Sequence, residues 1–128
     1  MSESIHRKDL DLFMEAARNL HDFDRIGFVL FHGSMAEGRG ITGSDIDLCV
    51  YYQGGEDVQS DFRLRLLEKL PSRFDVQVFQ QLPLIVRNQV LGGMPIYVKD
   101  KKLLYETALT TIREYESFKP HLMEYPSG

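Results

Sequence analysis

Asp45 and Asp47 stand two residues apart, and Gly33-Ser34 precedes them with ten residues between the two pairs. These are the residues of the chain whose types and spacing could do chemistry. Gly33-Ser34 closes an apolar segment, Phe28-Val29-Leu30-Phe31-His32, and Asp45-Ile46-Asp47 opens the next one. In a strand, residues two apart project from one face roughly 6.6 Å from each other, so both carboxylates reach the same cations. Hard oxygen ligands select Mg2+ or Mn2+, and two such ions about 3.5 to 4 Å apart clamp the attacking and leaving oxygens of an in-line phosphoryl displacement. Asp75, at the start of a later alternating segment, is the expected third carboxylate, suited to act as metal ligand and general base. Gly33 lets the backbone approach a polyphosphate, and the Ser34 hydroxyl with neighbouring helix N-terminal amides can donate to its oxygens.

Taken singly, Gly-Ser is a common turn and Asp-x-Asp a common strand edge. Their conjunction, each on its own strand, favours a site over two coincidental turns. Gly38-Arg39-Gly40-Ile41-Thr42-Gly43 spells the dinucleotide fingerprint G-x-G-x-x-G, but it precedes a strand where that fingerprint must open a helix, so it reads as a connector. His32 is expected to be a hydrogen-bonded structural residue, and His6, His21 and His121 lack metal-ligand spacing. Cys49 lies inside an apolar strand and is expected to be a buried, inert thiol. Tyr51, Tyr52, Tyr105, Tyr115 and Tyr125 are expected in core or rim packing.

The elements that must position these residues follow from periodicity. Leu10, Phe13, Ala17 and Leu20 recur at helical spacing, predicting an opening helix from Ile5 to about Leu20 capped by Ser4. Ile26 to Phe31 is apolar without alternation, as in a strand covered on both faces, and Asp45 to Tyr52 alternates up to the Gln53-Gly54-Gly55 turn. Val58, Phe62, Leu66 and Leu70 give a helix over Glu56–Leu70 stopped by Pro71, and Phe74 to Gln80 alternates as a third strand. A short helix over Leu84–Leu91, an extended segment Met94–Val98 and a helix over Leu103–Phe118 follow, the last with Leu104, Ala108, Thr111, Ile112 and Tyr115 on its inner face. A short helix is also expected between the first two strands. The order describes one α/β domain over residues 1–120, with 121–128 as a tail.

Composition narrows the function classes. A length of 128 residues, 43% hydrophobic and 27% charged, is that of one globular domain. The net charge of -4 argues against broad nucleic-acid binding, which needs a basic face. Arg63, Arg65, Lys69 and Arg73, like Lys99, Lys101 and Lys102, read as solvated faces of amphipathic segments. With one cysteine, no leader-like N-terminus and no run of about 18 apolar residues, a cytoplasmic location is expected, with no membrane partner.

Gly33-Ser34-x10-Asp45-x-Asp47, with Asp75 on a later strand, resembles the nucleotidyltransferases of the DNA polymerase beta superfamily. The length resembles that of the minimal members, in which one catalytic domain stands alone. The Ile96–Glu106 and Arg113–Pro120 segments are similar, less specifically, to that group's closing strand and helix. The resemblance implies a palm-like α/β fold of about four mixed strands with helices packed on it, ATP as substrate and Mg2+ as cofactor, two ions in number. It implies Asp45, Asp47 and Asp75 as metal ligands and catalytic residues, and Gly33 and Ser34 as nucleotide-binding. Many members carry Ala-Arg-Gly after Gly-Ser. Here Ala36-Glu37-Gly38-Arg39 places Arg39 two residues later as the candidate phosphate contact. The partner implied is a HEPN-domain toxin, with AMP moved from ATP to one of its tyrosines and pyrophosphate released. The alternative is an antitoxin that neutralises a HEPN partner by contact alone. A small-molecule acceptor is disfavoured, since so short a chain leaves no room for a separate acceptor-binding domain.

Overall fold

The computed structural model describes the backbone of residues 2–33 and 45–124, and the side chains of residues 7–33 and 45–119. The short helix expected between the first two strands, with Ser34 and Arg39, lies outside the described residues.

The apolar run Ile26–His32 forms β1, and its lack of alternation has the expected cause, since it has a strand on either side and apolar side chains on both faces. β2 (Ile46–Tyr52) and β4 (Met94–Val98) pair with it antiparallel. β3 (Phe74–Val78) pairs with β2 in parallel, giving a four-stranded mixed sheet in the order β3-β2-β1-β4. A parallel neighbour needs a crossover, and α2 (Glu56–Glu68) supplies it. α1 (Ser2–Arg18), α3 (Leu84–Val90) and α4 (Lys101–Glu124) complete the helices among the described residues.

Strand alternation divides the core between the two faces of the sheet. Val29, Phe31, Leu48, Val50, Val76 and Val78 join Phe13 and Ala17 of α1 and Phe62 and Leu66 of α2 in the larger cluster. Phe28, Leu30 and Cys49 join Phe79 and Val90 in a smaller one, rimmed by Tyr51, Val86 and Leu104. Asp47, Asp75 and His32 alternate onto this second face, at the end of the sheet where β1 finishes and β2, β3 and β4 begin.

Several local expectations are revised. Val58 is 45% exposed although Phe62 and Leu66 are fully buried, because steps of four residues drift about 40° around a helix of 3.6 residues per turn. On α4, Thr111 is buried while the adjacent Ile112 is 44% exposed, since neighbours on a helix cannot share one narrow face. Phe79 leaves β3 for a 3-10 turn, Phe79–Gln81, where its ring packs edge-on to Phe28 at 5.8 Å. α4 runs through Pro120 to Glu124 and so does not stop before the proline as expected.

The basic segment around α2 is not a freely solvated face. Arg65 binds the buried Asp22 through both terminal nitrogens, at 3.1 and 2.6 Å, and also Asp61 at 2.7 Å. Arg73 binds Asp9 at 2.6 Å, and Arg63 donates to the Val76 carbonyl at 2.6 Å. The Tyr52 hydroxyl donates to Asp22 at 2.6 Å, so one carboxylate ties the turn after α1 to both α2 and β2. Arg65 and Tyr52 hold the Asp22 carboxyl well below the usual carboxylate range, and burial with this hydrogen bond pushes the Tyr52 phenol up to about 12.

Candidate active site

Three strand ends build the site. The register sets Asp47 opposite His32 of β1 on one side and opposite Asp75 of β3 on the other. The three side chains share a face because each pairs directly across the ladder, and pairs of this kind bring side chains into contact range. Asp45 stands exposed one residue before β2.

Gly33 follows β1 with φ of 86°, a conformation that favours glycine. A β-carbon there would lie 2.2 Å from Asp47 Oδ2, so the absent side chain is what leaves room for the carboxylate. Gln77, two residues on from Asp75 along the same face, donates from Nε2 to Asp75 Oδ1 at 3.0 Å. No motif in the sequence marks Gln77 for a role. The alternation of β3 was the available signal, since it places Gln77 beside Asp75.

Among the described residues the electrostatics are those of closely spaced negative charge. Burial, followed by the charges of Asp75 and Asp45, pushes the Asp47 carboxyl above its usual value, and a hydrogen bond between the Asp47 and Asp75 side chains adds to this. Burial lowers the His32 imidazole, opposed by the attraction of Asp75. One ring nitrogen of His32, Nε2, is buried without a partner among the described residues. Cys49 behaves as anticipated, fully buried with its thiol pushed up to about 12.

Of the expected ligands, the structure brings Asp47 and Asp75 together and leaves Asp45 at the rim. Among the described residues no group of three or more His, Cys, Asp or Glu side chains converges to hold a metal ion, and no ion pair neutralises these carboxylates. A divalent cation fits the pair by charge and by donor type, because it would offset the burial and the carboxylate repulsion that raise Asp47. No helix of the described residues is long and apolar enough to cross a membrane.

Two carboxylates at the starts of β2 and β3, with the Gly33 turn against one of them and Asp45 at the rim, stand at one end of a mixed sheet. Residues 14–102 match the polymerase beta nucleotidyltransferase family. The chain belongs to that family. No curated protein matches it. This nucleotidyltransferase fold is shared by solved toxin–antitoxin complexes. One, crystallised with AMP-PNP, has 17% identity and a TM-score of 0.71, covering 89% of this chain and 92% of the other. The MntA–HepT complex has 16% identity and a TM-score of 0.62, covering 93% and 91%. The tri-AMPylated HEPN toxin of Shewanella oneidensis in complex with its MNT antitoxin has 16% identity and a TM-score of 0.63, covering 97% and 94%.

Proposed function

We propose that this nucleotidyltransferase moves AMP from ATP to a hydroxyl group, a tyrosine of a HEPN-domain toxin, and so acts as an antitoxin in the cytoplasm. The observation that carries the reading is the direct register pairing of Asp47 with Asp75 beside the Gly33 turn. The AMP-PNP complex and the tri-AMPylated toxin complex among the structural neighbours support the choice of donor and acceptor.

Asp47 and Asp75, with Asp45 from the rim, would hold Mg2+, most simply as two ions. Bound there, the metal supplies Lewis-acid polarisation of the α-phosphate and lowers the pKa of the incoming hydroxyl. Asp75 accepts the proton of that hydroxyl, and Gln77 fixes the carboxylate that does so. Gly33, with Ser34 and Arg39 following it, admits and binds the triphosphate. The acceptor oxygen forms its bond to the α-phosphorus as the bond to the bridging oxygen breaks, and pyrophosphate leaves with those electrons.

ATP labelled at the α or the γ phosphate tests this with the HEPN protein as acceptor. Only α label reaches the acceptor, and Asp47→Asn abolishes the transfer. Transfer of γ label would overturn the reading in favour of a kinase. The exposed position of Asp45 and the lack of a three-ligand cluster among the described residues favour a second reading, neutralisation by contact alone. Neutralisation that survives Asp45→Asn/Asp47→Asn without nucleotide supports that alternative.

A further inference from the structure

A cavity of about 640 Å³ opens beside His32 and Gly33 at the end of β1. That volume lies within the range of roughly 300 to 1,000 Å³ common for small-molecule sites. His32, Gly33, Val86, Gln89, Val90 and Met94 line it, so it joins the end of β1 to α3 and the start of β4. Gly93 makes the approach possible: a β-carbon there would stand 2.6 Å from the Phe31 carbonyl oxygen.

The position in the sheet decides what enters. The order β3-β2-β1-β4 sets Asp75, Asp47, His32 and Met94 on successive strands, and the cavity lies at the β1–β4 side. The proton acceptor Asp75 is therefore at the far side, and the group that surrenders its proton must approach from there. The described wall suits a base better than a polyphosphate. Among its described lining residues there is no Lys or Arg to offer a triphosphate countercharge. Val86, Val90 and Met94 offer apolar surface to a flat heterocycle, and Gln89 offers one amide.

We infer that this cavity seats the base of the donor nucleotide and that Gln89 is a specificity-determining residue favouring adenine. A glutamine amide carries a donor and an acceptor side by side, the arrangement that pairs bidentately with N6 and N7 of adenine and mismatches guanine. The inference rests on the nucleotide-transfer reading above and adds to it the subsite and its selectivity.

The test is calorimetric titration of the full chain in Mg2+ with ATP, GTP and tripolyphosphate, for the wild type, Val86→Phe and Gln89→Leu. Val86→Phe, which pushes a ring into the cavity from its wall, weakens ATP about tenfold or more and leaves tripolyphosphate binding unchanged. Gln89→Leu, at an exposed position and so safe for folding, narrows the preference for ATP over GTP. Unchanged ATP affinity in Val86→Phe overturns the assignment of the cavity, and an unchanged ATP-to-GTP ratio in Gln89→Leu overturns the role of Gln89. If Val86→Phe blocks transfer while ATP affinity holds, the cavity belongs to the acceptor and the inference falls. If the wild type binds no nucleotide at all, the proposed function fails first, which separates the two.

Discussion

The Asp47 carboxylate occupies the space that a side chain on Gly33 would fill, with Oδ2 2.2 Å from where a β-carbon would stand. Turn and carboxylate are therefore one geometric unit, although thirteen residues separate them in sequence.

Gly33→Ala is expected to strike this unit twice. The left-handed backbone at φ 86° costs a non-glycine residue about 1 kcal/mol or more, and the methyl drives Asp47 out of position. A displacement of that kind lowers transfer by about 100-fold. Urea denaturation reads the first effect and labelled-ATP transfer the second; wild-type transfer by the variant would show that Asp47 needs no such space.

Asp47→Asn is expected to make the metal-free protein more stable while abolishing transfer. The folded-state carboxyl is raised by burial and by Asp75 and Asp45, so the folded protein holds its proton more tightly than the unfolded chain. The sign follows: stability falls as pH rises from the ordinary value of 3.8 through the raised one, and the penalty persists at neutral pH. The asparagine removes it, and Tm rises by a few degrees. Mg2+ raises the Tm of the wild type and not of the variant, so an equal Mg2+ response in both would count against Asp47 as a ligand.

Gln77→Leu removes the Nε2 donor to Asp75 while keeping the side chain's bulk. Asp75 remains but is no longer held, and kcat is expected to drop about tenfold with KM for ATP little changed, as for an interaction that matters in the transition state alone. Gln77→Asn, shorter by one carbon, should not recover the rate. A matched rise in KM instead would place Gln77 in nucleotide binding.

Asp22→Asn should destabilise the fold by about 2 to 3 kcal/mol, since hydrogen bonds from the charged Arg65 and from Tyr52 lose their carboxylate. Here the folded carboxyl is depressed, so its contribution is complete above the ordinary value of 3.8 and is lost as pH falls below it. Acid titration followed by circular dichroism should show the wild type losing stability in that range and Asp22→Asn losing less. Transfer at a temperature where the variant stays folded is unaffected.

Features visible to periodicity were readable in advance. The unbroken apolar run of β1 announced a central strand, and the alternation of Phe74 to Val78 carried Asp75 to the face that Asp47 shares. Long-range pairing was not readable. Arg65 lies 43 residues from Asp22, and nothing in a run of basic residues says which of them meets a buried acid. Val58 and Ile112 misled because apolar type alone does not fix the angle around a helix. The cavity depends on Gly93 meeting the Phe31 carbonyl, a contact between segments far apart in the chain.

The strand order also dictates when a growing chain becomes able to act. β1 pairs with β2 early, but its other edge waits for β4, where Phe31 meets Met94. Pairings between such distant segments are the slow ones in folding, because a long loop must close before they return any energy. Asp47 and Asp75 can align once β3 emerges, whereas the cavity wall contributed by Val86, Gln89 and Met94 arrives last. A partly synthesised chain would thus hold Asp47 and Asp75 in place before the cavity beside them had its wall, which is completed only once β4 is made.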